Sequence, residues 1–424
     1  AGAQLIDQVA SAAQEKHLAL YLVGGVVRDL MLNRPNFDLD FVVEGDAIRF
    51  ADALCQQFGG QVHSYRPFGT AKWMLETVAI DGIDSAQLPN HIDFASARNE
   101  FYEHPTALPT VYSGSIKLDL QRRDFTINTL AVQLSPLDHL WRILDFYGGL
   151  NDLDQKHIRV LHSLSFVDDP TRILRAVRFA TRLDFSIEPR TAELISTALP
   201  MLRRITGERI RNELSLLMRD AHPANGLIQL QHMGALQAIH PQFTITDDIR
   251  RDMYHYHKRP VPWAGQTLSP TDAYWHIIMA RLPASAARSI CKRLLFSQEI
   301  SRSLIDSAYL MQPDSVLRDE RASNSQIASL LEQRSEIAQQ ITWALADDER
   351  VQARIERYQS HWRHLKPYHD GHDLMAMGLE PGPAYSRILS ELKRAWVDKR
   401  VQSREEEETL LQQMLDGADS DEQG

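Results

Sequence analysis

Two short blocks near the amino end carry the residues best suited to chemistry. Gly24-Gly25-Val26-Val27-Arg28-Asp29 is followed, after a short interval, by Asp38-Leu39-Asp40. An apolar strand running into Gly-Gly leaves the backbone bare, so a phosphate can approach without meeting a Cβ. A helix starting just beyond offers free N–H groups to that anion. Arg28, one turn into the helix, can pair with phosphate or fix the loop. Asp38 and Asp40, two apart on a strand, point their carboxylates to the same face. Side by side they repel unless cations lie between them. Two Mg2+ ions held by carboxylate oxygens and bridging to a triphosphate resolve the repulsion. One would activate an attacking hydroxyl and the other would stabilise leaving pyrophosphate. A D-x-D alone is more often a solvated turn, and the glycine block ahead of it is what gives this one weight.

Three further blocks add acids and arginines. His91-Ile92-Asp93-Phe94-Ala95 sets another acid on a strand, either a third carboxylate of the pair or a strand-end acid in a salt bridge. Arg122-Arg123-Asp124-Phe125-Thr126-Ile127-Asn128 places two adjacent arginines near a helix start, where burial needs anions; phosphates supply them in bidentate geometry. Asp168-Asp169-Pro170-Thr171-Arg172 opens a helix whose Arg172, Arg175 and Arg178 recur every three residues and so stay on roughly one face. The sequence contains no P-loop, dinucleotide fingerprint, GxSxG elbow or HExxH motif. Its histidines lack metal-ligand spacing, so no transition metal is expected.

Together these blocks resemble the class II tRNA nucleotidyltransferase and bacterial poly(A) polymerase family, and the resemblance runs through most of the chain. It implies an α+β architecture: a polymerase-β-like nucleotidyltransferase head with a mixed sheet, then an all-helical neck, body and tail. It implies Asp38 and Asp40 as ligands of two Mg2+ ions, with Asp93 a candidate third catalytic carboxylate. Gly24, Gly25 and Arg28 fall in the nucleotide-binding turn. Residues 122–128 match the family's RRDFTIN signature throughout, making Arg123 a nucleotide contact, Asn128 a group reaching the ribose and Asp124 an acid that orients an arginine. Position by position, Asp169 and Arg172 would read the Watson–Crick edge of the incoming base, with Arg175 and Arg178 facing phosphate or RNA. Asp168 stands where the family usually has Glu.

Arg98, Glu100 and Tyr102 resemble the flexible loop of CCA-adding members, which argues against an enzyme that adds only CC. Residues 209–213 (RIRNE) resemble a block that braces the base-reading helix, and 372–383 resembles a tail segment. The implied reaction is attack of an RNA 3′-hydroxyl on the α-phosphate of CTP or ATP, with the tRNA acceptor arm as partner. Two rivals stand beside it: a poly(A) polymerase acting on general RNA, and an inactive RNA-binding relative. Bacterial poly(A) polymerases usually end in a basic extension, whereas this sequence ends acidic, which favours tRNA. An inactive relative would have lost a metal carboxylate or the neck arginine, and none is lost.

The elements that must position these groups follow from periodicity. Residues 1–17 read as an amphipathic helix, 18–23 and 37–43 as strands, 47–58 as a helix ended by Gly59-Gly60, and 61–65, 71–80 and 91–95 as further strands. Residues 123–133 read as a helix. Beyond about 150, apolar residues recur at three- and four-residue spacing, punctuated by Pro189, Pro200, Pro223 and Pro241. The expected divisions are a catalytic head at 1–148, a neck at 149–220, a body at 221–310, a tail at 311–415 and an acidic end without structure at 416–424.

The 424 residues carry a net charge of −10, unevenly spread: −7 over residues 1–110, −7 over 401–424 and +4 between. An acidic amino-terminal region suits metal ions and a basic middle suits a polyanion. No apolar run is long enough to span a bilayer, and residues 1–20 lack the build of a secretory signal. Because position 1 is Ala, the native start is expected upstream. Two cysteines, Cys55 and Cys291, make neither a disulfide framework nor a zinc site and read as small buried hydrophobes. A reducing, cytoplasmic setting is the expectation.

Overall fold

A computed structural model describes residues 2–80, 88–101, 110–263, 268–379 and 382–421. The chain forms two compact units, Ala1–Ile239 and His240–Gly424. The expected head and neck both lie within the first. Cys55 and Cys291 are free thiols.

The first unit is built on a seven-stranded sheet. In chain order its strands are β1 (Ala19–Val23), β2 (Asp40–Glu44), β3 (Gly59–Tyr65), β4 (Thr70–Val78) and β5 (His91–Ser96). A separate hairpin follows, β6 (Arg98–Phe101) and β7 (Thr110–Ser113), and then β8 (Ala131–Ser135) and β9 (Arg142–Leu144) rejoin the sheet. The sheet order is β3-β4-β5-β2-β1-β8-β9, antiparallel throughout except where β2 runs parallel to β5. The helices of this unit that bear on the site are α1 (Gly2–Glu15), α2 (Gly25–Met31), α3 (Ala47–Phe58), α4 (Ile116–Gln121), α5 (Gly149–Asp154), α6 (Ser165–Asp168), α7 (Thr171–Leu183), α8 (Pro189–Ala198) and α9 (Gly207–Met218).

Strand alternation divides the sheet into two faces. Phe41 and Phe94 point to one face, stack at 5.3 Å, and receive Phe50 of α3 edge-on at 5.5 Å. Tyr21, Val23 and Val42 point to the other, where Ile116 and Leu120 of α4 cover them. Asp40 shares that second face, beyond the end of the cover. Asp46 caps α3 by accepting from Ile48 N (3.0 Å) and Arg49 N (3.1 Å). The helix stops at Gly59 with φ +85°, and a Cβ on Gly60 would lie 2.4 Å from the Met74 carbonyl oxygen, so both glycines are required.

Two expected elements differ. The strand expected over 37–43 begins only at Asp40, because the Asn36 side chain accepts from Asp38 N at 2.8 Å and holds a turn just ahead of it. The helix expected over 123–133 is a single 3-10 turn, Thr126–Asn128, followed by β8. Its alternating Ala-Val-Gln-Leu-Ser pairs with β1, and that pairing overrides the helical pattern.

The second unit is helical. The helix Pro270–Ala280 is buried from Ala273 to its end. His276 on that helix hydrogen-bonds Ser307 at 2.8 Å. The final helix, Arg404–Asp421, runs through the stretch expected to lack structure, and Leu411 joins a small core with Leu374, Ile388 and Leu392. Residues 422–424 of that stretch lie outside the described residues. Within the acidic run 405–408, Glu407 is fully buried: it accepts from Tyr368 N (3.0 Å), His369 N (2.8 Å), His369 Nδ1 (2.8 Å) and Trp396 Nε1.

Candidate active site

A cleft of about 770 Å³ gathers every residue assigned to the chemistry from sequence: Gly24, Gly25, Arg28, Asp38, Asp40, Asp93, Arg123, Asn128, Asp169, Arg172, Arg175 and Arg178. Lys72, Asp93 and Asp40 form a row across β4, β5 and β2, each in register with the next and on the cleft face. Asp93 stands beside Asp40, and Lys72 and His91 each lie 3.4 Å from it. Asp40 is exposed at the start of β2, yet desolvation pushes its carboxyl up to about 6; Arg123 opposes the shift, and Asp93 and Asp38 add to it. Asp38, in the turn before β2, is exposed.

The arginines divide into those held inside the protein and those turned to the cleft. Arg28 is buried: its Nε and Nη2 bond Asp29 (2.8 and 2.7 Å), its Nη1 donates to Asn128 Oδ1 (2.7 Å), and it lies over the Phe179 ring. These bonds engage three of its five N–H groups and tie it to the loop, while it also lines the cleft. Asn128 donates in turn to Asp124 (2.9 Å). Asp124 takes Arg175 on its other oxygen, through Nε at 2.9 Å and through Nη2. Arg175 and Arg178 also face Glu213 of α9 at 3.4 and 3.5 Å. This chain of bonds ties the β8 approach to α7 and orients an arginine on Asp124. Burial drives the Asp124 carboxyl up, but Arg175 and Asn128 outweigh it and hold it below its ordinary range.

Arg122 and Arg123 both bond Asp119, a fully buried acid on α4. Arg123 reaches from there to the glycine turn: a Cβ on Gly24 would lie 2.8 Å from its Nη1 and 3.9 Å from Asp40 Oδ2. Gly24 has φ +77°. Because α2 is only seven residues long, Arg123 rather than a long helix dipole supplies most of the positive charge over the turn. Its Nε is buried without a partner among the described residues.

Opposite, Asp169 Oδ1 caps the start of α7 through Thr171 N (3.0 Å) and Thr171 Oγ1 (2.7 Å), and Arg209 bonds both of its oxygens. Arg172 donates to Ser165 Oγ (2.5 Å) and to the Arg122 carbonyl (2.7 Å). Sequence reasoning did not single out Lys72, Asp119 or Ser165. Asp119 carried a signal, since it lies three and four residues before two arginines at the end of a helix. Arg98 donates to the Phe68 carbonyl at 2.9 Å, and β6 and β7 form the hairpin expected to be a loop; Tyr102 lies outside the described residues.

A mixed sheet bearing neighbouring carboxylates, a glycine turn and an arginine-lined wall defines a polymerase-β-like nucleotidyltransferase head. Residues 20–159 match the Poly A polymerase head domain, and residues 184–245 match the probable RNA and SrmB-binding site of polymerase A. The chain is 33% identical to the A-adding tRNA nucleotidyltransferase of Geobacter sulfurreducens, over 98% of its own length and 47% of that protein's. It is 32% identical to the A-adding tRNA nucleotidyltransferase of Halalkalibacterium halodurans, over 91% of its length and 86% of the relative's. A CCA-adding enzyme structure in an apo form superposes with a TM-score of 0.75 at 29% identity, covering 98% of this chain and 95% of the other. The chain belongs to the tRNA nucleotidyltransferase and poly(A) polymerase family. It spans about half the length of the Geobacter protein and most of the Halalkalibacterium one.

Proposed function

We propose that this chain adds C, A or both, from CTP or ATP, to the 3′ end of tRNA and releases pyrophosphate. The observation that carries the reading is the meeting of the Asp40–Asp93 pair with Arg123 across the Gly24 turn, in one cleft with Asp169 and Arg172. The new bond joins the RNA 3′-oxygen to the α-phosphorus, and the bond to the β-phosphate oxygen breaks. Arg123, with the Gly24-Gly25 backbone, binds the triphosphate. Asp169 accepts from the exocyclic amine of the base while Arg172 donates to its ring nitrogen or carbonyl, an edge pattern that C and A share in part. Asn128 reaches the ribose while it stays bonded to Arg28 and Asp124. Arg175 and Arg178, paired internally, shape the phosphate wall. Positioning and electrostatics account for most of the catalysis, and no covalent enzyme intermediate is needed.

The donor set fits Mg2+. Among the described residues no three His, Cys, Asp or Glu side chains close around a single point. An open set of carboxylate oxygens is nevertheless what Mg2+ takes when substrate phosphates complete its shell. Asp38 and Asp40 would hold it, and when bound it would lower the charge repulsion between carboxylates and triphosphate and make the 3′-hydroxyl more acidic. No helix among the described residues is long and apolar enough to cross a membrane, and we place the enzyme in the cytoplasm, where tRNA matures.

The test uses three tRNA transcripts, ending at the discriminator base, at C and at CC, and an unrelated RNA, each incubated with Mg2+ and with CTP, ATP or both. Addition that stops at CCA identifies a full CCA-adding enzyme. One A added only to the CC-ended transcript identifies the activity named for the two relatives above. Long A tails on an unrelated RNA would overturn the proposal in favour of a poly(A) polymerase.

A further inference from the structure

We propose that Phe37 is the platform on which the 3′-terminal base of the acceptor RNA stacks, with Arg182 taking that nucleotide's phosphate. The proposal rests on the reading of Asp38 and Asp40 as the carboxylates at which the RNA 3′-hydroxyl reacts. Phe37 is 78% exposed, more than any other large apolar side chain among the described residues. It is the tip of a turn that the Asn36 side chain closes by accepting from Asp38 N at 2.8 Å. Asn36 and Asp38 line the cleft on either side of it, which puts its ring at the rim.

That placement is built in. Asn36 Nδ2 donates to Asp29 Oδ2 (2.7 Å), and Arg34 N donates to the Asp29 carbonyl (2.8 Å). The Arg34 guanidinium reaches the Arg182 and Leu183 carbonyls at the end of α7, at 3.1 and 3.3 Å. The loop is thus fastened to α2 and to α7, and its polar side chains are spent on those bonds while the phenyl ring is left in water. Arg182, on the same stretch of α7, lines the cleft and is exposed. Its guanidinium has no hydrogen-bond or ion-pair partner among the described residues, whereas Arg175 and Arg178 are paired with Asp124 and Glu213.

A 3′-hydroxyl cannot reach the Asp38 and Asp40 carboxylates without bringing its own ribose and base. Consecutive Cα atoms lie about 3.8 Å apart, so Phe37 stands within one nucleotide's span of Asp38. Single-stranded RNA is held where aromatic rings stack its bases and cations track its phosphates. Phe37 presents such a ring and Arg182 such a cation. Every base has a π face, so the platform accepts whichever nucleotide ends the RNA.

The experiment measures extension of the tRNA transcript that the wild type extends, and of the same transcript with an abasic 3′-terminal nucleotide. Phe37→Ala should lower kcat/KM for the normal transcript by about tenfold or more, the worth of one base–aromatic stack. The change should lie in KM for RNA, with KM for CTP or ATP unchanged. Phe37→Tyr and Phe37→Trp keep a ring and should keep most of the activity, whereas Phe37→Leu should resemble Phe37→Ala. On the abasic transcript the wild type should lose about as much, and Phe37→Ala should lose little more. Arg182→Gln should raise KM for RNA and flatten its dependence on log salt by about 0.7, one phosphate contact on a single strand. Equal loss by Phe37→Ala on both transcripts, or full activity on the normal one, would overturn the proposal. So would a raised KM for the nucleotide in either variant with KM for RNA unchanged. Extension by Asp40→Ala at the wild-type rate would instead overturn the placement of the reaction, and this proposal with it.

Discussion

Adjacent glycines offer a controlled perturbation of the site, because the same added methyl meets opposite surroundings. Gly24 has φ +77° and ψ −135°, a region almost closed to other residues. A Cβ there would lie 2.8 Å from Arg123 Nη1, and Arg123 would have to withdraw from the turn and from Asp40. Backbone strain of about 1–3 kcal/mol adds to the loss of a charge-assisted contact of about 1.5–3 kcal/mol. Even if only about 2 kcal/mol of this appears at the site, kcat/KM for the nucleotide falls roughly 30-fold. Gly25, by contrast, meets nothing nearer than Arg28 Nη2 at 3.6 Å and Asn36 Nδ2 at 3.8 Å, both ordinary contacts. Alanine there removes a helical glycine and should gain about 0.5–1 kcal/mol of stability. Steady-state kinetics with varied ATP or CTP, together with Tm, separates site displacement from general destabilisation. Gly24→Ala should lose at least about 30-fold with a lowered Tm, whereas Gly25→Ala should keep or raise its Tm, so that any activity it loses reports the approach of phosphate to a bare backbone. A fully active Gly24→Ala with unchanged Tm would refute the argument that Arg123 needs that space.

Asp124→Asn should destabilise the first unit by about 1–3 kcal/mol, since it weakens a charge-assisted bond at a buried acid and leaves the half-buried Arg175 with only Glu213 as a charged partner. In a double-mutant cycle with Arg175→Met, urea unfolding should reveal a coupling above about 1 kcal/mol, and additive losses would contradict the pairing. Asp93→Asn should lower kcat about 100-fold with RNA affinity retained, as measured by filter binding and single-turnover kinetics; an unchanged kcat would reduce Asp93 to the salt bridge with Lys72. Burial lowers His276 from its ordinary 6.5 to about 4. Between those values the unfolded chain binds the extra proton, so stability is complete above about 6.5 and falls by about 3 kcal/mol as pH drops towards 4. Denaturant melts over that range should show the slope in the wild type and a flatter one in His276→Gln.

The site was legible in sequence to the extent that local spacing encodes it. Asp40 and the Gly-Gly turn lie on contiguous strand and turn, and the arginines of α7 share a face by helical period alone. Their partners were less legible. Glu213 meets Arg175 from 38 residues away and Arg209 meets Asp169 from 40; local spacing does not report such contacts, and only the resemblance of residues 209–213 to a bracing block pointed to them. Arg28 shows the cost of this blindness. Its place one turn into a helix after Gly-Gly suits a phosphate ligand, and the sequence did not show that Asp29 beside it and Asn128, 100 residues on, would take three of its five N–H groups. In the second unit, the acidic run 405–408 counted in the sequence only as negative charge, and only the fold shows that Glu407 is buried and accepts several hydrogen bonds. The tertiary pairing of β8 with β1 likewise overrode a helix-like pattern at 123–133.

Under the proposed function, RNA 3′-end extension occurs at the Asp38, Asp40 and Asp93 carboxylates. The most direct measurement compares wild type with Asp40→Ala on tRNA transcripts ending at the discriminator base, C and CC, with α-labelled CTP and ATP, Mg2+ and a parallel RNA-binding assay. The wild type should add a defined number of nucleotides and stop, and Asp40→Ala should bind the same RNA yet incorporate none. Incorporation by Asp40→Ala at a rate near wild type would contradict it.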